Sequence, residues 1–243
     1  MTARWLAIET ATDLASVAVG VPPASESLTQ LAGPRAHAAA IVELVDRCLA
    51  PLGQRPRDLA GIVVADGPGG FTGLRIGWAA AKGLSQARAL PVLAIPSLLA
   101  SAAGAAAILG AVPVASWIDA LRGEVFGAMY VVHPGRIETI LAPGVGTPED
   151  FVTRSPVRPR AVVADTPRYA ALAEAWSGTP LLSLTMLRPG AASLLALKQS
   201  EAAGRWLEDL STAEPAYGRQ AEAQARWEAR HGRPLPDPTR TSG

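Results

Sequence analysis

An apolar strand, a short polar turn and a second apolar strand occur in the same order at two places in this chain. In both copies an acidic residue, Glu9 or Asp119, follows the first apolar run. Two apolar runs joined by a short polar turn predict a β-hairpin. Helical and strand signals follow each copy, so the repeat indicates two halves built on one plan. The first predicted hairpin has strands at 5–8 and 16–21 with its polar turn at 9–13. The second has strands at 112–118 and 125–132 with its polar turn at 119–124.

A glycine-rich loop joins a predicted strand to a predicted helix. Residues 61–65 are apolar, a Gly/Pro cluster ends the strand, and Thr72 can cap a helix from about residue 73 to residue 87. A helix N-terminus after such a loop presents backbone N–H groups to an anion. A tight turn at a close-packed junction explains the glycines equally well. The spacing matches no Walker, dinucleotide or nucleophile-elbow pattern. The candidate anion-binding residues are Gly67, Gly69, Gly70, Thr72 and Gly73.

One of two predicted helices carries more apolar surface than packing against a single sheet requires. The helix at 37–50 has one apolar stripe, whereas the helix at 73–87 has two. The second stripe of the later helix is built from small residues, which permit close helix–helix approach. Either deep burial in a layered α/β fold or a second partner explains this stripe. The stripe of the helix at 37–50 contains Ile41, Leu44, Val45 and Cys48. On the helix at 73–87, the first stripe contains Leu74, Gly77, Ala81 and Leu84, and the second contains Ile76, Ala80, Gly83 and Ala87.

Candidate catalytic chemistry is sparse. The residue four positions after His37 is Ile41, so a helical histidine pair for a metal lacks its second imidazole. Cys48 lies within an apolar helix, where a cysteine behaves as a small hydrophobe. No serine occupies a strand–helix elbow. We therefore predict no catalytic residue and no metal site in this chain.

Composition excludes several classes of protein. Among 243 residues 49% are hydrophobic and 18% charged, so the chain is globular, and the net charge of +1 does not nominate a nucleic-acid binder. A single cysteine excludes an internal disulfide, and together with the missing leader pattern this favours the cytoplasm. The uncharged run between Arg88 and Asp119 is long enough to span a bilayer, but its prolines and glycines favour a strand, a helix at 97–109 and a strand.

Several segments, in order along the chain, resemble the TsaB family, the non-catalytic partners of TsaD in bacterial tRNA threonylcarbamoyladenosine synthesis. Two positions depart from the family pattern, since Gly70 stands where members usually carry serine and Glu9 where many carry aspartate. The matching segments are residues 6–12, 34–37, 66–77, 81–84, 117–126 and 214–219.

The resemblance implies an actin-like α/β fold of the sugar kinase, Hsp70 and actin type, in which two duplicated lobes face each other across a cleft. It places the N-terminal lobe at residues 1–105 and the C-terminal lobe at 106–231, whose last helix can pack back on the first lobe. We expect the tail at 232–243, rich in Pro, Arg, Thr and Gly, to be disordered.

The resemblance also implies a function and a set of site residues. The chain would bind and activate TsaD, help to dock the ATPase TsaE and tRNA, and form a homodimer when alone. It would hold no cofactor, and ATP, Mg²⁺ and the catalytic metal would lie on partner subunits. Glu9 and Asp119 would be vestigial phosphate-turn acids or simple turn caps, and an independent small-molecule kinase or metallopeptidase is the alternative. The implied partner interface contains His37, Ile41, Leu44, Val45, Arg75, Ile76, Ala80, Gly83 and Ala87.

Overall fold

The computed structural model describes residues 3–33, 37–165, 176, 178–187, 190–200, 202–219 and 230–232. Eleven strands and five α-helices are found in these ranges. The strands are β1 (Trp5–Glu9), β2 (Leu14–Gly20), β3 (Ser27–Ala32), β4 (Gly61–Gly67), β5 (Val92–Pro96), β6 (Val114–Asp119), β7 (Val125–His133), β8 (Arg136–Gly146), β9 (Ala161–Ala164), β10 (Leu181–Ser183) and β11 (Arg205–Trp206). The helices are α1 (His37–Leu49), α2 (Phe71–Gln86), α3 (Ser97–Leu109), α4 (Pro148–Arg154) and α5 (Gly190–Leu197).

The strands form two sheets with the same internal order. The first sheet runs β11-β5-β4-β1-β2-β3 and the second runs β10-β9-β6-β7-β8. In each sheet a three-stranded antiparallel meander is extended by two strands parallel to its first strand, β4 and β5 in the first sheet and β9 and β10 in the second. The first sheet has one more strand, β11, which is antiparallel to β5. The duplicated hairpins predicted from the sequence are therefore confirmed, and the fold is the expected two-lobed actin-like one.

Helices cover both faces of the first sheet, as its unbroken apolar strands require. Ile8 and Val64 point to the face that carries α1 and α2, whereas Ala7 and Val63 point to the opposite face, which carries α3 and α5. Helix α3 also packs against β6 and β7, so it lies between the two sheets. This position explains why its segment carries no charged side chain.

Most predicted elements are confirmed, with three corrections. Helix α2 begins at Phe71 with Gly70 as N-cap and no side-chain cap bond, so Thr72 lies inside the first turn. The helix predicted over most of 189–207 ends at Leu197, and β11 follows. Strands β3 and β8 had no predicted counterpart, because as edge strands they carry many exposed polar positions.

Some predictions are not tested by the described ranges. The helix predicted to start at 165–167 and the tail at 232–243 lie almost wholly outside them. The lobe boundary at 105/106 stays a prediction; that position falls within α3, and the chain returns to the first sheet at β11. Within the described part of the chain, no helix is long and apolar enough to cross a membrane.

Candidate functional site

The glycine-rich loop is fixed at its start by Asp66, the residue before the first glycine. Asp66 is largely buried, and the Arg205 guanidinium donates to both of its carboxylate oxygens at 2.8 Å. The Asp66 carbonyl accepts the Ala216 N–H at 2.7 Å, and Arg205 also donates to the Glu214 carbonyl at 2.6 Å. A segment near the C-terminus, residues 203–219, which we call the closing segment, is thereby held across the end of β4.

The loop glycines allow close approach between backbones. Gly67 has a φ of 104°, and a Cβ there would collide with the Ala216 carbonyl. A Cβ on Gly69 would collide with the backbone of Ala11, and the Gly70 N–H donates to the Ala11 carbonyl at 2.7 Å. The packing role left open by the sequence is therefore present. Anion binding by Gly67, Gly69, Gly70, Thr72 and Gly73 stays a prediction, and the Gly70 N–H is already used.

The two turn acids occupy equivalent positions at the ends of β1 and β6. Glu9 is buried and accepts the Ala11 N–H at 2.6 Å; burial raises its pKa to about 7. Asp119 accepts the Leu121 N–H at 2.7 Å, and its own N–H donates to Asp165 at 3.3 Å. Burial raises the pKa of Asp165 to about 6, reinforced by the nearby carboxylates of Asp119 and Asp13. Glu9 and Asp119 thus both cap their own turns.

Metal-binding and nucleophilic groups remain few once the chain is folded. Within the described ranges, no three His, Cys, Asp or Glu side chains are grouped so that they could hold a metal ion. Cys48 is fully buried, and burial raises the pKa of its thiol. A small cavity of about 20 Å³ beside Glu9 has room for one water-sized group. The buried Ser97 hydroxyl at its wall has no hydrogen-bond partner among the residues that the structure describes.

The closing segment continues from Asp66 to both α2 and the second hairpin. The Tyr217 ring packs against the Phe71 ring with a 4.8 Å centroid separation, and its hydroxyl accepts the Arg75 Nε–H at 3.1 Å. Arg219 then donates to the Ala120 carbonyl at 2.7 Å and pairs with Glu124. The closing segment therefore bridges the first turn of α2 and the turn of the second hairpin.

Helix α1 directs its apolar stripe into the chain's own core. Ile41, Leu44 and Val45 are buried together with Cys48 against the first sheet. On the opposite side Val42 is 65% exposed. His37 is the first residue of the helix, and its side chain lies outside the described features.

Helix α2 separates its two stripes between the core and the surface. Leu74, Gly77 and Ala81 are buried, whereas Ile76 and Ala80 are half-buried. Arg75, Gly83 and Ala87 are exposed, and a Cβ added at Gly83 would meet no atom of the described residues within 4 Å. Ile76 and Ala80 thus pack against the core cluster shared with α1, and the second small-residue stripe is open only at Gly83 and Ala87. Nothing in the described chain requires a glycine at position 83.

Sequence reasoning missed the pairing of Arg205 with Asp66 and the contact of Phe71 with Tyr217. Asp66 and Phe71 border the glycine-rich loop, and Tyr217 lies in a segment used for the family resemblance. No local pattern links them to their partners, because 139 residues separate Arg205 from Asp66.

A family model matches residues 30–175; it is described as "TsaD: tRNA N6-adenosine threonylcarbamoyltransferase". Two curated relatives are tRNA threonylcarbamoyladenosine biosynthesis proteins TsaB. The one from Escherichia coli (strain K12) is 35% identical over 58% of this chain and 64% of its own length. The one from Bacillus subtilis (strain 168) is 31% identical over 79% of this chain and 83% of its own length. The matched segment thus spans slightly less than two thirds of the Escherichia coli relative.

Two solved structures from Pseudomonas aeruginosa share the architecture. One, titled as an uncharacterized protein with similarity to peptidase YEAZ, has a TM-score of 0.74 and 27% identity over 89% of this chain and 100% of its own. The other, titled YeaZ, has a TM-score of 0.72 and 26% identity over 88% of this chain and 99% of its own. The similarity therefore covers both lobes.

Proposed function

This chain belongs to the TsaB family, and we propose that it is the non-catalytic subunit of the tRNA threonylcarbamoyladenosine synthesis complex. In this role it binds a TsaD-type subunit, holds it in an active conformation and completes a docking surface for the ATPase TsaE and for tRNA. ATP, Mg²⁺ and the catalytic metal are proposed to reside on the partner subunits. The complex is proposed to work in the cytoplasm, with a homodimer forming when the chain is alone.

The observation that carries this proposal is the open end of the small-residue stripe of α2, at Gly83 and Ala87. Glycine within a helix destabilises it by about 0.5–1 kcal/mol relative to alanine. Within the described residues, a Cβ added at Gly83 would meet no atom within 4 Å, so nothing there justifies that penalty. A partner helix that approaches closely at this position supplies a reason, because only small residues let two helix backbones come near each other. Family membership supports a TsaD-type subunit as this partner.

The non-catalytic role is supported by the state of the candidate catalytic groups. The Glu9 carboxylate is buried and bonded to its own turn, and Asp119 accepts a hydrogen bond from the Leu121 N–H. The Cys48 thiol is buried within the core. An actin-like kinase or a metallopeptidase would need such groups to face a substrate.

Reconstitution with purified partners, omitting one component at a time, tests the proposal. We expect no threonylcarbamoyl transfer by this chain alone and at least a tenfold loss when it is omitted from the mixture. Undiminished transfer in the mixture that lacks this chain would refute the proposal. The enzyme alternative is tested by ATP hydrolysis and peptide cleavage assays on the chain alone. Clear turnover that is abolished by Glu9→Ala or Asp119→Ala would establish that alternative.

A further inference from the structure

Phe71, Arg75 and Tyr217 form an aromatic–arginine cluster at the start of α2. The Arg75 guanidinium carbon lies 4.0 Å from the centroid of the Phe71 ring and 5.8 Å from that of Tyr217. The Arg75 Nε–H donates to the Tyr217 hydroxyl at 3.1 Å. One face and one edge of the guanidinium are therefore already held by the chain itself.

The remaining edge of this guanidinium is available for a ligand. Arg75 is exposed, and its two terminal nitrogens make no hydrogen bond or ion pair with any residue in the described ranges. A planar guanidinium presents parallel N–H groups that match a carboxylate. Stacking has already removed much of the freedom of this side chain, and a pre-organised group loses less entropy on binding.

We propose that the partner subunit places an aspartate or glutamate carboxylate on the terminal nitrogens of Arg75. This rests on the proposed function and deepens it, because Phe71 and Tyr217 then become part of the partner surface. The closing segment, held to Asp66 through Arg205 and Ala216, positions Tyr217 and so completes that surface.

The surroundings of Arg75 favour a protein carboxylate over an RNA phosphate backbone. The exposed positions that follow it on the same face of α2 are the small residues Ala79 and Gly83. Helix α1, which packs beside α2, exposes two acids, Glu43 and Asp46, and one base, Arg47, which pairs with Glu43; its surface therefore offers no basic stripe for a polyanion. Arginine and aromatic residues are enriched among the residues that dominate binding energy at protein interfaces.

Titration of the full-length chain with a purified TsaD-type subunit tests this assignment. Arg75→Lys keeps the charge but removes the planar fork, and we expect it to raise the Kd at least tenfold. Tyr217→Phe removes only the hydroxyl that orients Arg75, and we expect a smaller rise of about two- to fivefold. Arg136→Lys, on the exposed hairpin of the second sheet, is the matched control and should bind like the wild type. All three variants should melt like the wild-type chain.

Two further readouts separate a charge contact from a structural effect. Arg75→Gln should make partner binding less dependent on salt, which a purely structural role would not do. Normal partner binding by Arg75→Lys overturns the proposal. Loss of tRNA binding by that variant with partner binding unchanged also overturns it, in favour of a phosphate ligand. A wild-type chain that fails to bind the partner refutes the proposed function together with this inference.

Discussion

Replacing Gly83 with alanine should stabilise the isolated chain while weakening its association with a partner. Gly83 lies within α2 on its exposed side, and an added Cβ would meet none of the described atoms within 4 Å. Alanine is favoured over glycine in a helix by about 0.5–1 kcal/mol. For a chain of this size, such a gain should raise the Tm by about 1–4 °C. Circular dichroism melting at a concentration where the chain is monomeric measures this change.

The same methyl group should disturb a closely approaching helix. Overpacking a well-fitted contact is unfavourable by about 1–3 kcal/mol. The Kd for a TsaD-type subunit should therefore rise by about fivefold or more. Calorimetric titration gives the partner Kd, and analytical ultracentrifugation gives the strength of self-association. We therefore expect Gly83→Ala to raise the Tm of the isolated chain and to weaken the complex with the partner.

Gly77→Ala is the control on the buried side of the same helix. A Cβ at Gly77 would collide with the Thr10 hydroxyl, so this variant should lose about 1–3 kcal/mol of stability and melt earlier. A lower Tm for Gly83→Ala would show that position 83 packs against its own chain. A higher Tm with unchanged partner binding and self-association would show that the small residue serves no partner, and the argument from this stripe would fail.

Three other substitutions have defined outcomes. Ala80→Glu puts a charge on the half-buried edge of the α2 stripe, and the isolated chain should keep its fold, as measured by circular dichroism. Partner affinity measured by titration should fall by about two decades, because an unpaired buried charge is unfavourable by about 3–5 kcal/mol. Glu9→Gln should stabilise the chain in urea unfolding at pH 8 by at most about 3 kcal/mol and by progressively less as the pH falls towards 4.5. The reason is that the Glu9 pKa is raised from 4.5 to about 7, so the wild-type chain loses stability as the pH rises through this range. A difference that does not change with pH would contradict this. Asp66→Asn should lower the free energy of unfolding by about 1–3 kcal/mol, because it breaks a largely buried bidentate pair, and an unchanged urea midpoint would count against a stabilising role.

The elements that could be predicted were those whose signals are local. Helix α3 matches its predicted bounds because prolines and glycines flank an uncharged alanine-rich run. At the start of α4, Thr147 and Asp150 have the three-residue spacing of a capping box, a local pattern, and both of its hydrogen bonds are present. The two hairpins were visible because each has two apolar runs around a polar turn.

The features that could not be predicted depend on contacts between distant residues. Strand β11 is two residues long, and it exists because it pairs with β5 and because Arg205 reaches Asp66. The division of α2 into a core face and an open face follows from how the sheet and α1 cover it. The sequence was therefore sufficient to predict which segments form the candidate site. The roles of Phe71, Tyr217 and Arg205 became visible only in the structure.

The return of the chain to the first sheet affects the order in which the protein can fold during synthesis. Helix α5 packs on β1 and β2, and β11 pairs with β5, so residues 190–206 complete a layer that starts at residue 5. Proteins are made from the N-terminus at about 5–20 residues per second. The apolar face awaiting α5 thus stays uncovered for roughly 10–40 seconds of elongation at that rate. The second lobe can close its own sheet during that interval, which makes the N-terminal lobe the last to be finished.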